Sequence, residues 1–339
     1  MDIEFHYWMT GLIALRAGFN DAEAQTIAYA SEFVDENDVC LRIQDRSGKH
    51  KDYRNFISQT MNITKPKNTL LRIYPMFHFI PGEPDAITAR RRDGCMHLLN
   101  TTPNSENANR ILDAAFTAHE DTRLYRIGIA SHAYVDTWAH QNFVGWDDHF
   151  NNIGHDPKPN IGHADGEHHP DWVSHIWIDE RLVESDVSNK NRFLSAAEAL
   201  YLRYCQWLAT QGREDRSQQW AALEDELNLV MGATYTGNRI RYEDVRLEGY
   251  RRRLKWDDFD ERKWFDEAID SKIHGLRDSH DGIKAIFTHF QDEYFWHDID
   301  TYQSSDWYRF QQAVKEHERY AIEVLTPTFH QMGVDLRVV

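Results

Sequence analysis

The sequence predicts an all-α, mainly helical fold in a single domain spanning residues 1–339. Three observations carry this. Apolar residues recur at helical spacing along most of the chain. The one stretch rich in β-prone runs is short and broken by turn residues. A content of 41% hydrophobic and 13% aromatic residues can fill one sizeable core.

At the N-terminus, Trp8, Leu12, Leu15 and Phe19 share one helical face, and after the cap-like Asn20-Asp21 the pattern resumes through Ile27, Ala30 and Val34. Two helices are expected there. Between Val39 and Tyr74 the runs CLRIQ and TLLRIY alternate with turn residues, which predicts a loop or small hairpin rather than a large sheet. Pro81, Gly82 and Pro84 punctuate the next junction, and residues 85–100 and 106–119 read as helices separated by the turn TTPNS. Segment 121–143 is free of proline and sets Leu124, Ile127, Ala130, Tyr134 and Trp138 in helical register. Residues 145–171, rich in glycine and proline, read as a long loop kept for a site. Helices follow near 172–184, 191–211, 215–231, 257–270, 278–298 and 305–325, those over 190–330 completing the core.

With 38 Lys+Arg against 55 Asp+Glu the net charge is −17, which repels polyanions and disfavours strong nucleic-acid binding. Cys40, Cys95 and Cys205 lack C-x-x-C spacing, so neither a disulfide framework nor a thiolate zinc site is expected. The opening MDIEFHYW carries acids where a secretory signal carries positive charge, and no window approaches the roughly 20 apolar residues that span a bilayer. A soluble, cytoplasmic protein without a transmembrane segment is expected, with signal-independent export as the alternative. None of this sets the oligomeric state. Walker-type, G-x-G-x-x-G, H-E-x-x-H and G-x-S-x-G motifs are absent.

The main chemical signal is histidine. Of 19 copies, His132, His140, His149, His155, His163, His168, His169 and His175 crowd one interval. On an α-helix, positions four apart drift by about 40°, so His132, Asp136 and His140 line one stripe rising about 12 Å. His132 and Asp136 can share a metal, whereas His140, about 6 Å beyond Asp136 along the axis, suits a second one. The bland alternative is a solvated helix face. Against it, Ile127-Gly128-Ile129-Ala130 and Ala133-Tyr134-Val135 leave little exposed surface around the trio, which would then be buried without partners. Imidazole and carboxylate are the ligands expected for zinc, iron or manganese at a hydrolytic centre. Downstream, IGHADGEHHPD adds His163, His168 and Asp171 as favoured ligands; Glu167 is a rival, although Gly162 and Gly166 weaken any helix there.

Taken in chain order, His6, the Asp35 of Phe33-Val34-Asp35, the His78 of Phe77-His78-Phe79, the H-x-x-x-D of helix 121–143 and the later histidines resemble the ligand order of the zinc-dependent phospholipase C and single-strand nuclease superfamily. The resemblance covers roughly residues 1–175. Closer still, HYWMTGLIALRAGF, IAYASEFVDEN, ASHAYVDTWAHQNFVG and NIGHADGEHHPD resemble a bacterial and fungal domain family of unknown function. The superfamily resemblance implies a mainly helical fold with two or three zinc ions and phosphodiester hydrolysis. It implies that Asp35, His78, His132 and Asp136 surround one metal, and that His140, His163 and one of His168, Asp171 or Glu167 hold a second. A third takes His6, Asp136 as a bridge, and the Met1 amine or Asp2. Asp35 is alternatively the general base. Two departures stand out: Met1 occupies a position that superfamily members give to tryptophan, and His140 follows Asp136 more closely than in their pattern.

The expected function is therefore a multinuclear metal-dependent phosphoester hydrolase, phospholipase C-like, using a metal-bridged hydroxide on small or phospholipid-like phosphodiesters. An iron enzyme that activates oxygen and a non-catalytic, metal-stabilised protein are the alternatives. The runs Arg90-Arg91-Arg92 and Arg251-Arg252-Arg253 read first as solvated charge and second as phosphate contacts.

Overall fold

The computed structural model describes residues 1–339 apart from 61, 63–64, 66, 154–159, 274–291 and 338–339. The chain opens with a π-helical turn, Glu4–Met9, that runs straight into α1, Thr10–Ala17. Asn20 then caps α2, Asp21–Glu36: its side chain accepts from the Glu23 N–H while the Glu23 carboxylate accepts from the Asn20 N–H. The run CLRIQ supplies β1, Arg42–Gln44, which pairs antiparallel with β2, Tyr53–Arg54. TLLRIY departs from its β-prone reading. It contributes to α3, Lys67–Leu71, and opens α4, Tyr74–Phe77, where Pro75 presets the first helical turn.

Next come α5, Glu106–Phe116, capped by Ser105, and α6, Arg123–Ala139. After the long loop, β3, Ile176–Ile178, and β4, Asp186–Ser188, form an antiparallel hairpin. The rest comprises α7, Asn189–Thr210; α8, Trp220–Met231; α9, Glu243–Leu254; α10, Lys263–Ala268; β5, Ile269–Lys272; β6, Glu293–Trp296; and α11, Asp306–Gln331. The first sheet runs β2-β1-β6-β5, with β1 parallel to β6. The fold is thus mainly helical with two small sheets, rather than all-α. A core cluster draws buried residues from Met1 through Leu336, and among the described residues no helix is long and apolar enough to cross a membrane.

Several expected elements change. Over 85–100 only Ile87–Ala89 forms a helical turn. Ile87 and Met96 point outward, and the segment is tied elsewhere: the Arg92 N–H donates to the Arg181 carbonyl, and the Arg91 and Arg92 guanidinium groups donate to the Phe150 and Leu182 carbonyls. Helix 172–184 is replaced by β3, where buried Trp177 alternates with exposed Ile178 in the period of a strand. The expected helix 257–270 shortens to α10 and hands over to β5. Helix 278–298 falls largely outside the described residues, and its last part is β6. Helix α9 is not announced by apolar spacing, because its buried positions are Arg246, Tyr250 and Leu254. Arg246 is inside only because the Glu4 carboxylate takes its Nε at 2.9 and 2.8 Å.

The packing that matters for the site is α2 against α6. A Cβ on Gly128 would sit 2.5 Å from the Ile27 carbonyl oxygen and 2.6 Å from the Ala30 Cβ, so only glycine permits this approach.

Candidate metal centre

The close contact at Gly128 places the Ser31 carbonyl beside His132, whose Nδ1–H donates to it at 2.8 Å. That bond fixes the tautomer and leaves Nε2 as a lone pair facing inward. His78, the C-cap of α4, donates Nε2–H to the Ser58 carbonyl at 2.9 Å and turns Nδ1 inward. His140 caps the C-terminus of α6 rather than lying on its regular turns; its Nδ1–H donates to the His78 carbonyl at 2.8 Å. His163 donates Nδ1–H to the Glu167 carbonyl at 2.8 Å. Each of these four rings therefore spends its one proton on a backbone carbonyl and aims its other nitrogen at the same interior.

Asp136 is the hub. Its Oδ1 lies 2.6 Å from the Met1 amine and 3.2 Å from His6 Nε2, while its Oδ2 lies 3.3 Å from His132 Nε2, 3.4 Å from His78 Nδ1 and 3.5 Å from His140 Nδ1. Asp35, at the end of α2, brings Oδ1 to 3.6 Å from His78 and 3.8 Å from His132. Asp171 sets one oxygen 3.3 Å from His140 Nε2 and the other 3.4 Å from His163 Nε2. Three groups result: His6, Asp35 and His132; His78, His132 and Asp136; and His140, His163 and Asp171, with the facing atoms of each within 4.8 Å.

These groups fit cations. His132 Nε2 and His78 Nδ1 are 3.0 Å apart, yet the carbonyl bonds leave both as lone pairs in the neutral rings. The same holds where His140 and His163 face the Asp171 oxygens. Lone pairs held this close repel unless a proton or a metal ion lies between them. Both ring nitrogens of His6 and the Asp136 Oδ2 are buried without a hydrogen-bond partner, a condition a bound ion relieves.

The electrostatics agree. Burial alone would raise Asp136, but His140, the Met1 amine, His132 and His6 hold it well below the usual carboxylate range. Burial opposes Asp171 likewise, and His163, the Met1 amine and His140 bring it down. His6 is pushed down to about 3 by burial, with His132 and the Met1 amine adding to the effect. Burial disfavours the Met1 ammonium, yet Asp136, Asp171 and Asp35 raise it to about 11. Access is uneven: Asp136 is 1% exposed, whereas Asp35 and His163 are 29% and 20% exposed and form the open edges.

Of the residues expected from sequence, His6, Asp35, His78, His132, Asp136, His140, His163 and Asp171 come together. His168 does not join these groups. It is exposed and stacks on Trp172, with ring centroids 6.3 Å apart. Glu167 is also exposed, so Asp171 takes the position left open among the three. Five of the six arginines in the two runs are engaged within the fold: Arg91 and Arg92 on carbonyls, Arg251 and Arg252 with Asp258 and Glu248, and Arg253 with Glu226. The orienting carbonyls of Ser31, Ser58, His78 and Glu167 carry no mark in a sequence, since every residue has one.

Residues 1–325 match a family of unknown function (DUF6765). The chain belongs to that family. No match was found among curated proteins or among solved structures. Every residue of the three groups lies inside the span shared with DUF6765.

Proposed function

We propose that this DUF6765 chain is a multinuclear metal-dependent hydrolase of phosphate esters, phospholipase C-like in the order of its ligands. The observation that supports it most is the set of inward lone pairs, each fixed by a carbonyl bond: those of His78 and His132 converge on Asp136, and those of His140 and His163 on Asp171. Asp35, His78, His132 and Asp136 would hold one ion, His140, His163 and Asp171 a second, and His6, Asp136 and the Met1 amine a third. Zinc suits this donor set, with iron or manganese as alternatives. Bound there, divalent cations would supply Lewis acidity toward a phosphoryl oxygen and acidify a water molecule.

The chain's own groups do the rest. Asp35 stands at the open edge, oriented by Gln59, whose Nε2 donates to its Oδ1 at 3.1 Å. Its carboxylate, kept ionised against burial by His132, His78 and His6, can accept a proton from a water molecule. Phe79 stacks on His140 at 4.4 Å and keeps bulk water from that side. The −17 net charge favours small or phospholipid-like phosphodiesters over long nucleic acids.

The test is turnover. Chelator-treated protein should be inactive on bis(4-nitrophenyl) phosphate and on phospholipid, and zinc should restore activity on at least one. Absence of turnover by metal-loaded protein on these and on single-stranded DNA would sink the reading. Redox-active iron in anaerobically purified protein would turn it toward oxygen chemistry.

A further inference from the structure

We infer that Glu32 is a further acidic group of this centre, serving the cation on the Met1 and His6 side. The inference rests on the metal reading above. Glu32 lies on α2, one turn ahead of Asp35 and so on the same side of that helix. It is 5% exposed. Its Oε2 is sealed from solvent and has no hydrogen-bond partner, and no basic side chain among the described residues pairs with it. The Asp2 Oδ2 is sealed and unpartnered in the same way.

The contrast with Glu4 is instructive. Glu4 is equally buried, and the fold neutralises it with the Arg246 guanidinium. Glu32 is given no such partner. Its strongest electrostatic neighbours are the carboxylates of Asp35, Glu36 and Asp2, with the Met1 amine acting against them. A buried carboxylate among other carboxylates is costly unless a proton or a cation compensates it. An added carboxylate also shifts this end of the centre toward harder ions, with manganese gaining relative to zinc.

Glu32→Gln keeps the shape and removes the charge. Chelator-treated full-length chain is titrated with zinc and with manganese by calorimetry, and its melting temperature is followed with and without metal. The expected result is a metal-free variant at least as stable as the parent, one class of metal binding weakened about 10–100-fold, and a smaller metal-induced rise in melting temperature. Glu32→Asp should recover part of the affinity, and exposed Glu36→Gln should change nothing. If Glu32→Gln binds both metals like the parent, with an equal rise in melting temperature, Glu32 is merely a buried acid and the inference is overturned. If the parent chain itself binds neither metal, the metal reading falls as well, so the two failures are distinguishable.

Discussion

His78, His132 and Asp136 come from the ends and faces of packed helices and are almost wholly buried, whereas His163 comes from the loop after α6 and stays 20% exposed beside a buried Asp171. The helical end is held by the Gly128 contact between α2 and α6. The loop end is held by a turn, in which Gly162 at φ +54° packs its backbone onto the Phe79 ring. The difference teaches that one centre can combine a half built on packed helices, open only at Asp35, with a half built on a loop, open at His163, so that each half keeps one edge for exchange and substrate entry.

The strongest way to break this contrast is Asp136→Asn. Because Asp136 faces the Met1 amine, His6, His78 and His132, the variant should lose both ions of the helical half and disturb the loop half through its contact with the His140 ring. Elemental analysis should find affinity reduced by more than the ~10–100-fold typical of an outer partner. His132→Ala should remove ions only from the helical half, and His163→Ala only from the loop half, each by at least the ~10–100-fold of an outer partner. Equal losses in these two variants would mean that the halves are not separate.

Acid should distinguish the halves next, in the metal-free protein. Burial holds His6 down to about 3 and keeps His140 below the ordinary imidazole range. The unfolded chain therefore takes up protons at these positions first, near pH ~6.5, and stability falls from there toward pH ~3 by up to about 1.4 kcal/mol per pH unit per group. His78 moves the other way, raised by Asp136 and Asp35 against burial, so its contribution is fully present below pH ~6.5 and offsets part of the loss. The depressed carboxylates of Asp136 and Asp171 stabilise above pH ~4 and lose that contribution only below it. Thermal melting at pH 7.5 and 5 should show a lower transition at the acid pH; a flat profile would contradict the neutral, buried His6.

Gly128→Ala tests the helical half by packing alone. The added methyl must push α2 from α6, lowering stability by about 1–3 kcal/mol in chemical denaturation and moving Ser31 away from His132. The smallest effect belongs to His168→Ala, which should leave metal content unchanged and shift stability by less than ~0.5 kcal/mol.

Legibility follows the same division. The pairing of His132 with Asp136, the cap at Asn20 and the long apolar-periodic helices α2, α6, α7 and α11 could be read directly, because each is settled within a few turns of chain. The turn residues that bound 85–100 do not make it a helix, since Ile87 and Met96 face outward and the segment is tied to the β3–β4 region by backbone bonds. Helix α9 was hidden because a buried arginine reads as surface until its partner Glu4, distant in sequence, is known.

What the sequence determined by itself was the kind of chemistry: imidazoles and carboxylates, two of them one helical turn apart, in a chain built mainly of helices. Tertiary structure alone decided which of them meet. It chose Asp171 over His168 and Glu167, set His140 at the helix end, gave His78, His132, His140 and His163 a carbonyl partner each, and left His6 and the Glu32 Oε2 without one. The reason is range. Helical spacing is encoded within neighbouring residues, whereas the Met1 amine reaches Asp136 across 135 positions only through the packing of everything between them.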